Sequence, residues 1–345
     1  MLRAMSENRQ LVLARRPVGT VQDDDFEVRT VATPEPGEGQ VLVKTCWLSF
    51  EPAQRGWMND VPSYIPPVKL GDPMRSWGVG EVVESGDDHF APGQLVSGPI
   101  NWVEYALMDA AALSAVPPGV PPTAALGVFG TTGLTAYFGL LDIGRPKAGD
   151  VVLVSGAAGA TGSVVGQIAK IKGCTTIGIA GGPEKCAWLT EEAGFDAAID
   201  YKNEDVQRRI HELAPKGVNI YFDNVGGEIL DAALANLAQG GTAVMCGGIS
   251  TGYTIDAKPP GIHNTWVTTV RSARMEGFIV LNYVSRFGEA VKELATWAQE
   301  GKLTWAEDVQ QGDLTAAPAT LRRLFEGKNL GKQILQISEP GVPGA

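Results

Sequence analysis

The stretch VLVSGAAGATGSVVGQIAKIKGC, Val152 to Cys174, joins an apolar run to a turn rich in glycine and alanine, and then to a helical stretch. Such a unit can hold a phosphate, because a helix N-terminus presents unpaired N–H groups and the positive end of the backbone dipole. The dinucleotide fingerprint wants one glycine in the tight turn, a second where the backbone approaches the pyrophosphate, and a third where helix and strand pack. Ala157, Gly159 and Gly162 hold those places here, with Gly156 one residue early. The pattern predicts a pyrophosphate beside Gly159, at the start of a helix over 163–172. Its competitor is a turn that serves packing alone.

The next strand end bears on which nucleotide this is. An NAD site carries an acid about 20 residues further on, bonded to the ribose 2′-hydroxyl. That place falls in IAGG, Ile179–Gly182, which has no acid, and Lys185 follows in the next helical turn. Small residues leave room for a 2′-phosphate and the lysine supplies charge, so the spacing points to NADPH. A solvated surface lysine is the plainer alternative. YFDNVGG (221–227) and CGGIS (246–250) each end a predicted strand with small or polar residues. Ligands of an open α/β sheet lie beyond the carboxyl ends of its strands, which turns Asn224 and the 246–250 backbone toward the same crevice as Gly159. Gly226 and Gly227 also read as plain turn glycines opening a helix.

Metal chemistry has no donor set to build on. Cys46, Cys174, Cys186 and Cys246 are scattered without paired spacing, and His89, His211 and His263 show no ligand spacing. A zinc alcohol dehydrogenase needs a cysteine or histidine ligand set, and usually a four-cysteine structural lobe. Reduced, mostly buried thiols are the expectation for the cysteines.

Two kinds of element must position these residues. From Gln10 to about Val128, short β-type runs (QVLVKTCWL, GVGEVVES, GQLVSGP, EYALM) are broken by Pro and Gly, as in a small all-β domain. From about Asp150 the rhythm becomes strand, turn, helix: VVLVSG, TTIGIAGG, DAAIDY, VNIYFDNVGG, GTAVMCGG and RMEGFIVLNY alternate with helical PEKCAWLTEEAGF, DVQRRIHELAP and EILDAALANLAQGG. That alternation predicts a doubly wound parallel sheet. A helix over SRFGEAVKELATWAQEGK follows, and the β-like GKQILQIS predicts a return to the first domain, with SEPGVPGA as a loose tail. The 345 residues, 44% hydrophobic and 19% charged, fit a globular protein of two domains. A net charge of -11 argues against a nucleic-acid partner. No apolar run is long enough to span a bilayer, and MLRAMSENRQ lacks an apolar signal core. The expectation is a cytoplasmic protein.

With these residues assembled, the chain resembles the zinc-independent branch of the medium-chain dehydrogenases/reductases, the branch of prostaglandin, 2-alkenal (double-bond) and curcumin reductases. EPAQRGWM, SYIPPV, GTTGLTAYFGLLDIG, AAGATGSVVGQIAKIKGC, GGPEKCAWL, FDNVGGEILD, RMEGFIV and EGKNLGKQI carry the likeness over nearly the whole length. It implies a Rossmann domain over 129–304, a GroES-like β domain over 1–128, and a C-terminal return over 305–345. It also implies NADPH-dependent reduction of activated C=C bonds in α,β-unsaturated ketones and aldehydes. Carried over by position, the NADPH contacts are Gly159, Ala160, Thr161, Gly162, Lys185, Tyr201, Asn224, Cys246, Gly247, Gly248, Ile249, Ser250, Thr251, Gly252, Phe278, Ile279, Val280 and Asn329, with Thr135 facing the nicotinamide.

Departures from the family pattern set the remaining expectations. Where relatives have Asp-Pro-Tyr-Met-Arg, this chain has Glu51-Pro52-Ala53-Gln54-Arg55, and Val270 matches a second family tyrosine. Aligned with zinc enzymes, Glu51 falls at a ligating cysteine and GDP (71–73) at Gly-His-Glu. No zinc is expected. Hydride arriving at the β-carbon makes the carbonyl oxygen enolate-like, so a hydrogen-bond donor is needed there. Tyr64 in VPSYIPPV is the leading candidate for donor and substrate contact, with Tyr253 second. A tyrosine that merely walls the substrate pocket competes with that role for Tyr64. Two rivals remain: a quinone reductase on the same fold, and a non-catalytic NADPH-binding protein. The apolar final strand RMEGFIVLNY, as an exposed sheet edge, predicts a homodimer.

Overall fold

In the computed structural model, which describes residues 7–255 and 261–341, the chain divides into two units. Of these residues, one takes 7–126, 254–255 and 307–341; the other takes 127–253 and 261–306.

The first unit opens with a hairpin of β1 (Glu7–Leu13) and β2 (Phe26–Ala32), paired antiparallel. It continues through β3 (Gln40–Ser49), a short helix α1 (Ala53–Trp57), β4 (Gly78–Ser85), β5 (Leu95–Gly98), β6 (Tyr105–Asp109) and β7 (Ser114–Ala115). Trp102 is fully buried, 5.1 Å from the Phe26 ring and 5.6 Å from Phe50. These aromatics anchor a core shared with Leu13, Val43, Leu48 and Met58.

The second unit begins with α2 (Thr131–Phe138) and then alternates: β8 (Val151–Ser155), α3 (Ala160–Ile171), β9 (Thr175–Ala180), α4 (Pro183–Glu191), β10 (Ala197–Asp200), α5 (Val206–Leu213), β11 (Val218–Asp223), α6 (Gly227–Ala235) and β12 (Leu237–Met245). A short α7 (Trp266–Val270), β13 (Arg274–Gly277) and α8 (Phe287–Gln299) complete it. All six strands run parallel in the order β10-β9-β8-β11-β12-β13. Sequence-adjacent strands spread outward from β8 in both directions, which puts the reversal of strand order between β8 and β11. That is where a doubly wound sheet opens a crevice for its ligand. Helix α3 packs closely enough that a methyl group on Gly166 would fall 1.9 Å from the Phe195 ring.

The chain then returns to the first unit with β14 (Glu307–Gln311), α9 (Ala317–Phe325) and β15 (Lys332–Gln336). β15 lies between β14 and β3, pairing Ile334 with Ser49 across an antiparallel ladder.

Three sequence expectations need correction. Helix α3 starts at Ala160, not at 163, because Gly159 is already its N-cap. The helix expected across EILDAALANLAQGG stops at Ala235, and Leu237 onward joins β12. The strand expected across RMEGFIVLNY is only Arg274–Gly277, followed by a 3-10 helix over Val280–Arg286. Its partner β12 ends opposite Gly277, at Met245, and Phe278 turns its ring into the packing against Gly139 and Phe222. Of the tail SEPGVPGA, residues 342–345 lie outside the described residues, while the Gly341 N–H donates to Glu81.

Candidate active site

The turn after β8 resolves the missing glycine. Gly156 has φ +57 and makes the left-handed step that the fingerprint assigns to its first glycine, so Ala157 is free to carry a side chain. That side chain is buried, and a methyl group on Gly178 of β9 would come within 2.9 Å of it. The third glycine is sterically fixed: a Cβ on Gly162 would lie 2.4 Å from the Gly156 carbonyl oxygen. Gly159 caps α3 in extended conformation with no side-chain cap, which leaves the first N–H groups of the helix for an anion.

At the end of β9 the chain passes through Gly181 and Gly182, the latter at φ +100 with no atom within 4 Å of a built Cβ. This is open ground at the strand end. A Cβ on Gly181 would lie 2.7 Å from the Tyr201 ring, so that ring flanks the opening. Tyr201 is 45% exposed, and Lys185 stands half-buried in the first turn of α4. Asp200 faces the same turn, but its carboxylate accepts the Gly182 N–H at 2.8 Å, the Lys202 N–H at 3.1 Å and the Asn203 amide at 2.7 Å. Those donors hold its pKa down against the opposing effect of burial.

Between β8 and β11 the strand ends are locked by a buried carboxylate that sequence reading passed over. Asp223 Oδ1 accepts from Ser155 Oγ (3.0 Å), the Tyr221 hydroxyl (2.6 Å) and the backbone N–H groups of Val225 and Gly226 (3.1 and 2.9 Å). Burial, with Asp223 beside it, drives the Tyr221 phenol well above its ordinary pKa. Asn224 donates its amide to the Ser155 carbonyl at 2.7 Å, so part of this predicted contact serves to tie the two strands. The Cys246–Gly252 loop folds onto the same end: Gly247 N–H reaches Asp223 O at 2.9 Å and Ser250 N–H reaches Val225 O at 3.0 Å. Within it, Ile249–Thr251 form one 3-10 turn. Burial, chiefly, pushes the Cys246 thiol up to about 12, which keeps it protonated.

The other predicted positions are dispersed. The Tyr253 hydroxyl turns back to accept the Gly248 N–H at 3.0 Å. Phe278 packs its ring inward, and Ile279 and Val280 follow at the sheet edge, half-buried. Thr135 donates to the Thr131 carbonyl within α2 at 2.6 Å. Asn329 lies in the first unit, its amide on the Gly331 carbonyl at 2.9 Å. Val270 is 55% exposed on α7, beside Gln207 and Trp266.

In the first unit, Tyr64 is 47% exposed, and its oxygen accepts the Trp57 indole N–H at 2.8 Å. Burial of the hydroxyl raises the phenol's pKa; the indole hydrogen bond and Arg75 partly oppose this, while Glu51 adds to it. Glu51 itself is bound by the buried Lys332 ammonium at 2.6 Å and by Ser49 Oγ at 2.5 Å. Lys332 lies in the quoted GKQI segment, but nothing in its spacing marked it as the partner of a residue 281 positions away.

Two family models match the chain, one described as the N-terminal domain of oxidoreductase over residues 9–116, the other as zinc-binding dehydrogenase over 160–296. The NADPH-dependent curcumin reductase of Escherichia coli (strain K12) is 40% identical over 339 residues, 96% of this chain and 97% of that protein. The chain belongs to the medium-chain dehydrogenase/reductase family. Other members of this family include the NADP(+)-dependent 2-alkenal reductase of Nicotiana tabacum, 37% identical over 96% of this chain and 98% of its own. The crystal structure of CurA from Vibrio vulnificus in complex with NADPH superposes with a TM-score of 0.90, at 38% identity, covering 96% of this chain and all of that one.

Zinc, named in the description of the second model, does not suit the residues present. The carboxylate at the position of a zinc-ligating cysteine, Glu51, is already neutralised by Lys332. Among the described residues no group of three or more His, Cys, Asp or Glu side chains could hold a metal ion.

Proposed function

We propose that this member of the medium-chain dehydrogenase/reductase family reduces the C=C bond of α,β-unsaturated ketones and aldehydes with NADPH. One observation carries the reading: a glycine-lined end of β9 with no acid in its own turn, flanked by Lys185 and Tyr201, where the neighbouring Asp200 carboxylate is taken up by the Gly182, Lys202 and Asn203 donors, in a chain similar over 96% of its length to reductases of this kind. An NAD-type acid is replaced by open space and a cation, which suits a 2′-phosphate.

The residues fit the cofactor. The uncapped start of α3, at Gly159, Ala160, Thr161 and Gly162, offers backbone N–H groups to the diphosphate. Lys185 and the Tyr201 hydroxyl take the 2′-phosphate. Asn224 and the loop Cys246, Gly247, Gly248, Ile249, Ser250, Thr251 and Gly252 border the strand ends where the rest of the dinucleotide lies, and Phe278, Ile279, Val280 and Asn329 complete the proposed set. When bound, NADPH supplies the hydride that the β-carbon of the substrate receives.

The chain's own contribution to the reaction is at the substrate oxygen. The Tyr64 oxygen already accepts the Trp57 N–H, which leaves its own proton for a second acceptor. Its raised pKa keeps that proton in place at neutral pH. Tyr64 therefore donates to the carbonyl oxygen as charge develops there, and holds the enolate while the α-carbon is protonated. Tyr253 is the second substrate contact in this reading.

The same proposal takes the protein as a cytoplasmic homodimer. Strand β13 is an edge of the parallel sheet, and Leu281 and Val284 just beyond it are 46% and 57% exposed, which favours pairing with a second copy. Four cysteines carried as thiols suit a reducing compartment. No helix among the described residues is long and apolar enough to cross a membrane.

NADPH oxidation against a panel of enones, enals and quinones tests the activity. Turnover of enones and enals well above quinones is expected. Quinone-only turnover would assign the chain to quinone reduction, and tight NADPH binding without turnover of any acceptor would make it a non-catalytic binder.

A further inference from the structure

Arg75 differs from several arginines of the first unit, which pair with carboxylates. Arg9 pairs with Glu104 at 2.7 Å, Arg15 with Asp25 at 2.8 Å, Arg322 with Asp23 at 2.7 Å and Arg323 with Asp308 at 2.8 Å. Arg75 is half-buried, yet among the described residues no carboxylate lies within ion-pair distance of it. This occurs in a chain with 39 acidic against 28 basic residues, where counter-ions are plentiful. Its guanidinium carbon stands 5.7 Å from the centre of the Trp57 ring, and its Nη1 donates to the Pro66 carbonyl at 3.0 Å. Burial lowers its pKa, and the nearby Tyr64 phenol opposes that shift. Glu51, the acid that also acts on Tyr64, is engaged by Lys332.

The surroundings hold the guanidinium in place without neutralising it. One of its five N–H donors is used on Pro66 and one face is covered by the indole, which leaves an edge of the planar fork unmatched. A partly desolvated guanidinium with a fixed orientation is suited to bidentate recognition of a carboxylate. The same indole hydrogen-bonds the Tyr64 hydroxyl, so the phenol meets the N–H edge of one aromatic ring and the guanidinium its face.

We infer that Arg75, with Trp57 and Tyr64, forms a subsite for unsaturated carbonyl substrates that carry a carboxylate a few bonds from the carbonyl. The guanidinium takes the carboxylate, the indole covers the carbon chain between, and Tyr64 takes the carbonyl oxygen. This deepens the proposed enone reduction and rests on it for the role of Tyr64. It names an acidic substrate class, which a pocket selective for apolar enones alone would reject.

The test compares (E)-4-oxo-2-pentenoic acid with its methyl ester, in the wild type and in Arg75→Gln and Arg75→Lys. Comparing the acid-to-ester ratio of kcat/KM between each variant and the wild type cancels the difference in reactivity between the two compounds. The acid-to-ester ratio is expected to fall about tenfold or more in Arg75→Gln, and by less in Arg75→Lys, which keeps the charge but loses the fork. Equal losses for acid and ester, or an unchanged ratio, would overturn the inference. So would a wild type that reduces the ester and rejects the acid. A parallel titration with the saturated keto acid 4-oxopentanoate, followed by calorimetry, reads the subsite without turnover: binding by the wild type and its loss in Arg75→Gln are expected. Should the wild type reduce no enone at all, the proposed function fails. The titration then still decides the subsite, and no binding of 4-oxopentanoate to the wild type would refute it.

Discussion

The Trp57 indole N–H, 2.8 Å from the Tyr64 oxygen, occupies one lone pair of the phenol and leaves its proton for another acceptor. Replacing Tyr64 with Phe removes a donor that acts on developing charge, so kcat is expected to fall at least about tenfold, a conservative part of the range for such donors. NADPH binding should remain intact. If only KM rises, the ring is a wall and the donor lies elsewhere. The pH dependence follows in sign. A phenol whose pKa is raised donates throughout neutral pH and loses its proton only above the ordinary value near 10, so this group leaves kcat level between about pH 6 and 9. Lys185 gives the second prediction at this scale. A charge-assisted contact to a 2′-phosphate is worth on the order of 1.5–3 kcal/mol. Lys185→Ala should therefore raise the Kd for NADPH about ten- to a hundredfold while barely changing that for NADH, measured by fluorescence titration. Equal losses for the two would remove Lys185 from the phosphate site.

Elements set how closely these residues are held, and here sequence and structure part in an instructive way. The strand–turn–helix of β8 and α3 was readable because its apolar run and its glycines are local signals. The left-handed step belongs to Gly156, and the third glycine lies 2.4 Å, as a Cβ would, from that residue's carbonyl. Gly162→Ala is thus expected to force the turn open, destabilising the fold by about 1–3 kcal/mol and weakening NADPH at least about tenfold. Chemical denaturation and cofactor titration read the two effects, and a variant with wild-type stability and affinity would contradict this geometry. The end of the sheet was less readable. RMEGFIVLNY has strand composition throughout, yet β12 gives it partners only as far as Gly277, and the Phe278 ring finds its place against Gly139. Composition does not report where a neighbouring strand stops. The Asp223 lock and the Glu51–Lys332 pair were missed for a related reason: a lone acid in an apolar run, or a lysine far along the chain, shows its partner only after folding.

At the scale of the molecule, a six-stranded parallel sheet with its strand order reversed at β8 and β11, and a mainly antiparallel β unit completed by the C-terminal return, are the architecture of the medium-chain dehydrogenase/reductase family. The exposed edge at β13 predicts a dimer, so sedimentation at micromolar concentration is expected to give about twice the 36.4 kDa chain mass. A single-chain mass would leave that edge without a partner copy. The central claim concerns the fate of the C=C bond. Incubation with NADPH deuterated at both C4 positions and (E)-3-nonen-2-one, followed by mass spectrometry and NMR of the product, tests it most directly. The account predicts 2-nonanone carrying one deuterium at its former β-carbon, with one NADPH consumed per molecule formed. Recovery of the allylic alcohol, deuterated at the carbonyl carbon, or of unlabelled enone with no NADPH consumed, would contradict it.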